Sequence, residues 1–139
     1  MNNQQTNTRF IVDSWAWIEY FDGSLLGNKV KDYVENEKNV IFTSVLTIAE
    51  VMSKFLRKQL DPSEVLNGIN NLSRVLNVDT ETAVLAGKLH AETKVRIKDF
   101  GLSDAFILAA SRIENTKIIT GDLHFKSFPE VIFISKQLK

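Results

Sequence analysis

Four carboxylates lie where an acidic site would be expected. Asp13 and Asp122 each follow a short apolar run, whereas Glu50 and Asp104 fall near the starts of segments with helical spacing. Carboxylates about 4 Å apart repel by roughly 4 kcal/mol at an effective dielectric constant near 20, so a cluster of them requires a cation or bound protons. Because the chain has no Cys and no paired His, these hard oxygen donors favour Mg²⁺ or Mn²⁺ over zinc. Such a centre activates water and stabilises charge on a phosphodiester.

Each acid also has a purely structural interpretation. Glu50 ends a sequence over residues 47–50 that fits a capping box, and Asp104 at a helix start is favourable to the helix dipole. Asp122 is typical of a turn, and Asp13 suits the N-cap of the helix that follows it. Any one of the four is therefore a weak signal, and only their convergence in space predicts chemistry.

Short apolar runs separated by segments of helical spacing predict the elements that position these acids. The strands are expected over residues 10–12, 40–42, 75–78, 118–119 and 131–134. Helix starts are expected with Asp61 as N-cap and, for a helix over residues 104–114, with Ser103 as N-cap. The alternation predicts an α/β fold with a mainly parallel sheet covered on both faces. Because sites in such sheets lie beyond the carboxyl ends of the strands, we expect the four acids at one edge.

Composition limits the class of protein. The chain of 139 residues has the size of one domain, and its 44% apolar and 24% charged residues exclude a disordered, collagen-like or coiled-coil chain. We divide it into a polar tail over residues 1–8, interpreted as disordered or as a cloning remnant, and one domain over residues 9–139. The absence of cysteine excludes a disulfide framework and a thiolate metal site. No signal peptide and no apolar run near the roughly 20 residues of a membrane span are visible, so we expect a cytoplasmic protein without a membrane partner.

The charge balance bears on nucleic-acid binding. The 17 basic and 17 acidic side chains give a net charge of zero, which at first argues against such a partner. If the four acids bind metal, 17 basic side chains stand against 13 acidic ones elsewhere. The basic residues that flank the acids in sequence are Lys54, Arg57, Lys58, Lys94, Arg96 and Lys98. We expect them to contact a nucleic-acid backbone, the alternative being solvated helix faces.

Five segments, in this order and spacing, carry a family resemblance. They are residues 10–14 (FIVDS), 17–19 (WIE), 43–51 (TSVLTIAEV), 102–110 (LSDAFILAA) and 118–125 (IITGDLHF). The chain resembles the PIN-domain ribonucleases, in particular the VapC-type toxins of toxin–antitoxin pairs, from Arg9 to Ser135. The resemblance implies a PIN-like, Rossmann-like three-layer sandwich with a mainly parallel sheet of about five strands. It also implies a metal-dependent endoribonuclease that uses Mg²⁺ or Mn²⁺, acts on RNA, forms a homodimer and is held by a cognate antitoxin.

The resemblance assigns roles to particular residues. It implies that Asp13, Glu50, Asp104 and Asp122 are the catalytic and metal-binding acids. Ser14 and Thr120 match small hydroxyl positions that orient the carboxylates or bound water, and Asp99, in the loop before Asp104, is an additional candidate. Gly121 departs from the family, where a larger and often basic residue is common. His124, two residues beyond Asp122, is given no role, and Trp15 is the aromatic residue whose exposure needs testing.

Two other functions stay open at this stage. The same fold would serve a PIN-domain nuclease that processes RNA, or acts on DNA, without an antitoxin. Alternatively, the chain is a non-catalytic Rossmann-like binding module in which the acids merely cap helices.

Overall fold

Five parallel strands form one sheet in the computed structural model, which describes residues 8–136. The strands are β1 (Arg9–Val12), β2 (Val40–Ser44), β3 (Arg74–Leu76), β4 (Lys117–Thr120) and β5 (Val131–Phe133). Their order is β3-β2-β1-β4-β5, and every neighbouring pair is parallel. The five predicted strands and the α/β class are confirmed, although β3 ends at Leu76, two residues before the predicted end.

Helices cover both faces of this sheet because its apolar strands alternate between two cores. Phe10 and Val12 point into one core, and Ile11, between them, points into the other. The first core lies against α1 (Ser14–Asp22), α2 (Leu25–Val34), α3 (Val45–Arg57) and α4 (Ser63–Leu72). The second lies against α5 (Thr80–Lys94) and α6 (Leu102–Glu114). The result is the three-layer sandwich that the sequence predicts.

Helix α2 was not predicted from the sequence. Its apolar spacing is interrupted by Gly27, a residue that weakens a helical signal. The structure shows why glycine stands there: a Cβ would lie 2.0 Å from the Glu19 carbonyl oxygen of α1. The two helices therefore pack closely through a position that only glycine fills.

Three predicted helix starts are wrong in detail. Ser103 does not cap α6, which begins at Leu102 behind Gly101, and the Gly101 N–H donates to Asp104 Oδ2 over 3.0 Å. Helix α4 begins at Ser63 with Pro62 at the N-cap, one residue later than predicted, and the Asp61 side chain accepts from the Ser63 N–H from the position before the cap. No capping box spans residues 47–50, because α3 already begins at Val45.

Two further expectations concern the polar tail and the absence of a membrane span. The predicted tail lies outside the described residues except for Thr8, which is half-buried. Among residues 8–136, no helix combines the length and apolar character that crossing a bilayer requires.

Candidate metal centre

The carboxyl ends of β1 and β4 lie side by side and carry two of the predicted acids. β1 pairs with β2 on one side and with β4 on the other, so the strand order reverses between β1 and β4. Open α/β sheets bind ligands at such a switch point. Asp13 follows β1 and Asp122 follows β4 by two residues. The fold thus brings these two acids to the position that the strand pattern predicts.

Asp13 is a buried carboxylate with two hydrogen bonds. Its Oδ1 accepts from the Ala16 N–H over 3.0 Å, so it also caps α1, and its Oδ2 accepts from Thr120 Oγ1 over 2.6 Å. The pKa of Asp13 is raised to about 7, chiefly by burial and to a smaller extent by the charges of Asp122 and Asp104, against the lowering effect of these two bonds. The structural and chemical interpretations of Asp13 are therefore compatible.

Thr120 connects the two strand-end acids. Its buried hydroxyl donates to Asp13 and accepts from the Asp122 N–H over 3.0 Å. This is the orienting contact expected of the residue. Ser14, the other predicted hydroxyl, lines a neighbouring cavity.

Asp104 joins the cluster from the first turn of α6. Burial raises the pKa of Asp104, the Gly101 N–H lowers it, and the negative charges of Asp122 and Glu50 raise it. The charge of Asp122 thus lies close enough to Asp13 and Asp104 to disfavour the ionisation of both. Within residues 8–136, none of the three forms an ion pair with a lysine or arginine.

His124, to which the sequence analysis gave no role, lies against two of the acids. Its Nδ1 lies 3.4 Å from Asp104 Oδ2 and 3.5 Å from Asp122 Oδ1. Ligand atoms of these three residues all lie within 4.8 Å of one another. The sequence indicates this only by placing His124 two residues after Asp122. A short 3-10 turn, Leu123–Phe125, then brings the imidazole close to both carboxylates.

Glu50 lies at the rim rather than in the buried cluster. It is exposed, and its Oε2 accepts from Ser103 Oγ over 3.0 Å. With Ser14, it lines a cavity of about 450 Å³ that Lys54 and Arg57 also line. The predicted basic cluster on α3 therefore borders the acidic site in part.

The remaining predicted residues lie apart from this cavity. Lys58 pairs with Asp22 on α1 at 3.7 Å, and Arg96 lies over the Phe128 ring at 5.8 Å. The Lys94 ammonium donates to the Lys98 carbonyl, so these two contact each other. Asp99 is exposed and is not among the described charges that shift the pKa of Asp13 or Asp104.

Gly121 departs from the family because its surroundings leave no space. A Cβ there would lie 2.4 Å from Trp15 Cη2 and 2.7 Å from the Ile134 carbonyl oxygen. Trp15 is half-buried and packs against the first core. The indole thus occupies the volume beside Asp122 that a larger side chain would need.

A divalent cation fits this donor set. Three carboxylates without a lysine or arginine ion-pair partner in the described chain supply hard oxygen ligands, and the charge of a cation would offset their mutual repulsion. His124 adds a nitrogen donor, which Mn²⁺ accepts more readily than Mg²⁺.

Comparison with solved structures finds the same fold. A toxin–antitoxin complex from Klebsiella pneumoniae aligns with a TM-score of 0.72 at 21% identity, covering 90% of this chain and 97% of that one. VapC20 of Mycobacterium tuberculosis, a sarcin–ricin loop cleaving toxin, aligns at 0.70 and 18% identity over 88% and 98%. DNA-bound VapBC of Salmonella typhimurium aligns at 0.67 and 20% identity over 90% and 96%.

Sequence comparisons place the chain in a family. Comparison with curated proteins finds no significant match. The PIN domain family model, however, matches residues 10–131, a range that contains all four predicted acids. The resemblance first drawn from short segments is therefore confirmed, and this chain belongs to the PIN domain family.

Proposed function

We propose that this protein is a metal-dependent endoribonuclease and the toxin of a type II toxin–antitoxin pair. The observation that carries the proposal is the convergence of Asp13, Asp104 and Asp122 at the switch point of the sheet, with burial and mutual repulsion raising the pKa values of Asp13 and Asp104. Family membership supports nuclease chemistry, and the likeness to toxin–antitoxin structures supports the toxin role.

Asp13, Asp104 and Asp122 would hold a Mg²⁺ or Mn²⁺ ion, with Glu50 bound directly or through water. The ion would supply Lewis-acid stabilisation of charge on the phosphate and would activate the attacking water. Thr120 and the Gly101 N–H keep two of these carboxylates oriented. The carboxylates bind metal in their ionised form. Because burial raises the pKa values of Asp13 and Asp104, the charge of a bound cation would be needed to keep both ionised.

The cavity beside the acids is suited to an RNA backbone. Lys54 and Arg57 line its wall together with Glu50, which contacts Ser103 of α6. Cations in this position would bind phosphates flanking the scissile bond and oppose the local negative charge. The cavity is not lined by Lys94, Arg96 or Lys98, so the structure gives less support for contact between these residues and RNA.

Two protein partners complete the proposal. An antitoxin segment would lie across α3, where Leu56 is 58% exposed, and across the turn after it, where Leu60 is 47% exposed. A second copy of the chain would pack on α5, whose outer face exposes Val84.

The outer face of α5 is self-complementary. Val84 and Leu85 form the centre of a cavity that Ile113 also lines, with Glu81 one turn before them and Lys88 one turn after. Glu81 and Lys88 lie equally far from the midpoint of the apolar pair. In an antiparallel, twofold pairing of two α5 helices, each Glu81 therefore faces the other copy's Lys88.

Cleavage of total RNA with mapped ends tests the nuclease. The wild type should cut in Mg²⁺ or Mn²⁺ and not in EDTA, and Asp104→Asn should lose cleavage while keeping its circular dichroism spectrum. Asp32→Asn, which changes an exposed acid on α2, is the matched control and should keep full activity. Full activity in folded Asp104→Asn would contradict the assigned centre.

The toxin role has its own test. A small protein encoded next to this gene should co-purify with the chain and suppress both cleavage and growth arrest. Cleavage without such a partner and without growth arrest would instead identify an RNA-processing nuclease. A folded protein that neither cleaves nucleic acid nor shows a thermal shift with Mn²⁺ would be the binding module.

A further inference from the structure

His124 is positioned as an additional donor of the acidic centre. Its side chain is 36% exposed, and its Nδ1 lies between carboxylate oxygens of Asp104 and Asp122 at 3.4 Å and 3.5 Å. Both separations exceed the usual 2.7–3.2 Å range of an N–H···O hydrogen bond. Adjacent ligands of a shared octahedral ion, each about 2.1 Å from it, lie about 3 Å apart, and opposite ligands lie about 4.2 Å apart. The separations from His124 fall between these two values, so the three donors are close enough to bind one ion.

The turn that carries His124 is held from two sides. Its own backbone N–H donates to Asp122 Oδ1 over 2.9 Å, at the start of the 3-10 turn Leu123–Phe125. Phe125, the next residue, is buried and meets Phe100 edge to face at a centroid distance of 6.1 Å. Phe100 directly precedes Gly101, whose N–H binds Asp104. One buried aromatic contact thus connects the turn of His124 to the loop that holds Asp104.

We propose that His124 is a nitrogen ligand of the metal and makes the centre select Mn²⁺ over Mg²⁺. Mg²⁺ strongly prefers oxygen donors, whereas Mn²⁺, a divalent ion of the first transition row, binds oxygen donors and also accepts an imidazole nitrogen. A centre made of three carboxylates alone would discriminate little between these two ions. The inference rests on the metal site of the proposed function but does not require that RNA be the substrate.

The test is metal binding by the purified, metal-free protein. Dissociation constants for Mn²⁺ and Mg²⁺ are measured by calorimetry, and nitrogen coupling to bound Mn²⁺ is measured by pulsed electron paramagnetic resonance. His124→Ala should weaken Mn²⁺ binding about tenfold or more while changing Mg²⁺ binding less than about threefold. The nitrogen coupling should disappear in this variant and persist in His90→Ala, which removes the chain's other histidine, on α5.

A second variant separates ligation from folding. His124→Gln keeps a polar side chain of similar reach, and it should fold like the wild type yet lose the nitrogen coupling. Equal losses of Mn²⁺ and Mg²⁺ affinity, coupling that survives in the His124 variants, or no Mn²⁺ binding by the wild type would each overturn the proposal. Failure of the nuclease would look different, because Mn²⁺ would bind with nitrogen coupling and RNA would stay intact.

Discussion

The Thr120 hydroxyl donates a hydrogen bond of 2.6 Å to Asp13 Oδ2 and so connects the ends of the adjacent strands β1 and β4. The Thr120 hydroxyl oxygen also accepts from the Asp122 N–H over 3.0 Å. Because one atom contacts both strand-end acids, their relative position depends on a single side chain.

Replacing that hydroxyl should lower both activity and stability. Thr120→Val keeps the shape and removes both contacts, so we expect RNA cleavage to fall about 10–100-fold, as when a residue supporting a metal ligand is lost. The free energy of unfolding should fall by about 1–3 kcal/mol because buried polar groups lose a partner. Thr120→Ser, which keeps the hydroxyl, is the control for both assays. Wild-type cleavage by Thr120→Val would show that the contact does not matter for the site.

The raised pKa of Asp13 predicts a pH-dependent stability in EDTA. Burial raises this pKa to about 7, so the neutral form is favoured in the folded protein. The resulting stabilisation is fully present below the unfolded pKa near 4 and is lost as the pH rises through about 7. Relative to Asp13→Asn, which does not ionise, the wild type should lose up to about 4 kcal/mol of unfolding free energy between pH 4 and pH 8. Urea titrations measure the difference, and parallel pH profiles would rule out an ionising Asp13.

Trp15 and Gly121 should show energetic coupling. Gly121→Ala brings a Cβ to 2.4 Å from Trp15 Cη2, so we expect a loss of about 1–3 kcal/mol of stability. Trp15→Leu in the same chain should recover part of this loss, and the Ile134 carbonyl at 2.7 Å should account for the rest. A double-mutant cycle measures the coupling. If the stability losses of Gly121→Ala and Trp15→Leu simply add in the double variant, the indole moves aside without cost.

Lys54 and Arg57 should contribute to RNA affinity through counterion release. In an Asp104→Asn background that does not cleave, replacing both with Ala should reduce the slope of log K against log salt by about 1.4 for single-stranded RNA. Lys38→Ala is the matched control, because this exposed lysine precedes β2 at the opposite end of the sheet. Fluorescence anisotropy with a labelled RNA measures both slopes. An unchanged slope in the double variant would place the RNA on another surface.

The proposed α5 pairing can be tested by exchanging charges. Glu81→Lys and Lys88→Glu should each weaken the dimer, because like charges then face each other across the twofold axis. The double exchange restores opposite charges and should restore the dimer. Light scattering after size-exclusion chromatography reports the mass of each variant. A wild type that stays monomeric, or single variants that dimerise normally, would exclude this face.

The fold and most of the acidic centre could be predicted because the carboxyl ends of parallel strands all lie at the same edge of the sheet. Asp13 and Asp122 follow inner strands, so their proximity depends only on the strand order. His124 could not be placed in this way, since its ring reaches Asp104 through a short turn whose direction depends on the Phe125–Phe100 contact. Helix α2 was missed for a related reason: Gly27 lowers local helix propensity and is explained only by the close approach of α1.

The central place of β1 and β4 has a consequence for the lifetime of the active geometry. Neither strand is at an edge, and residues 11–12 and 118–119 are fully buried. Backbone amides in such positions exchange with solvent only through global opening, whereas exposed helix ends open locally at much lower cost. The strand ends that carry Asp13 and Asp122 therefore belong to the last part of the molecule to open. Partial fraying of the surrounding helices would alter access to the centre while leaving the spacing of these two acids intact.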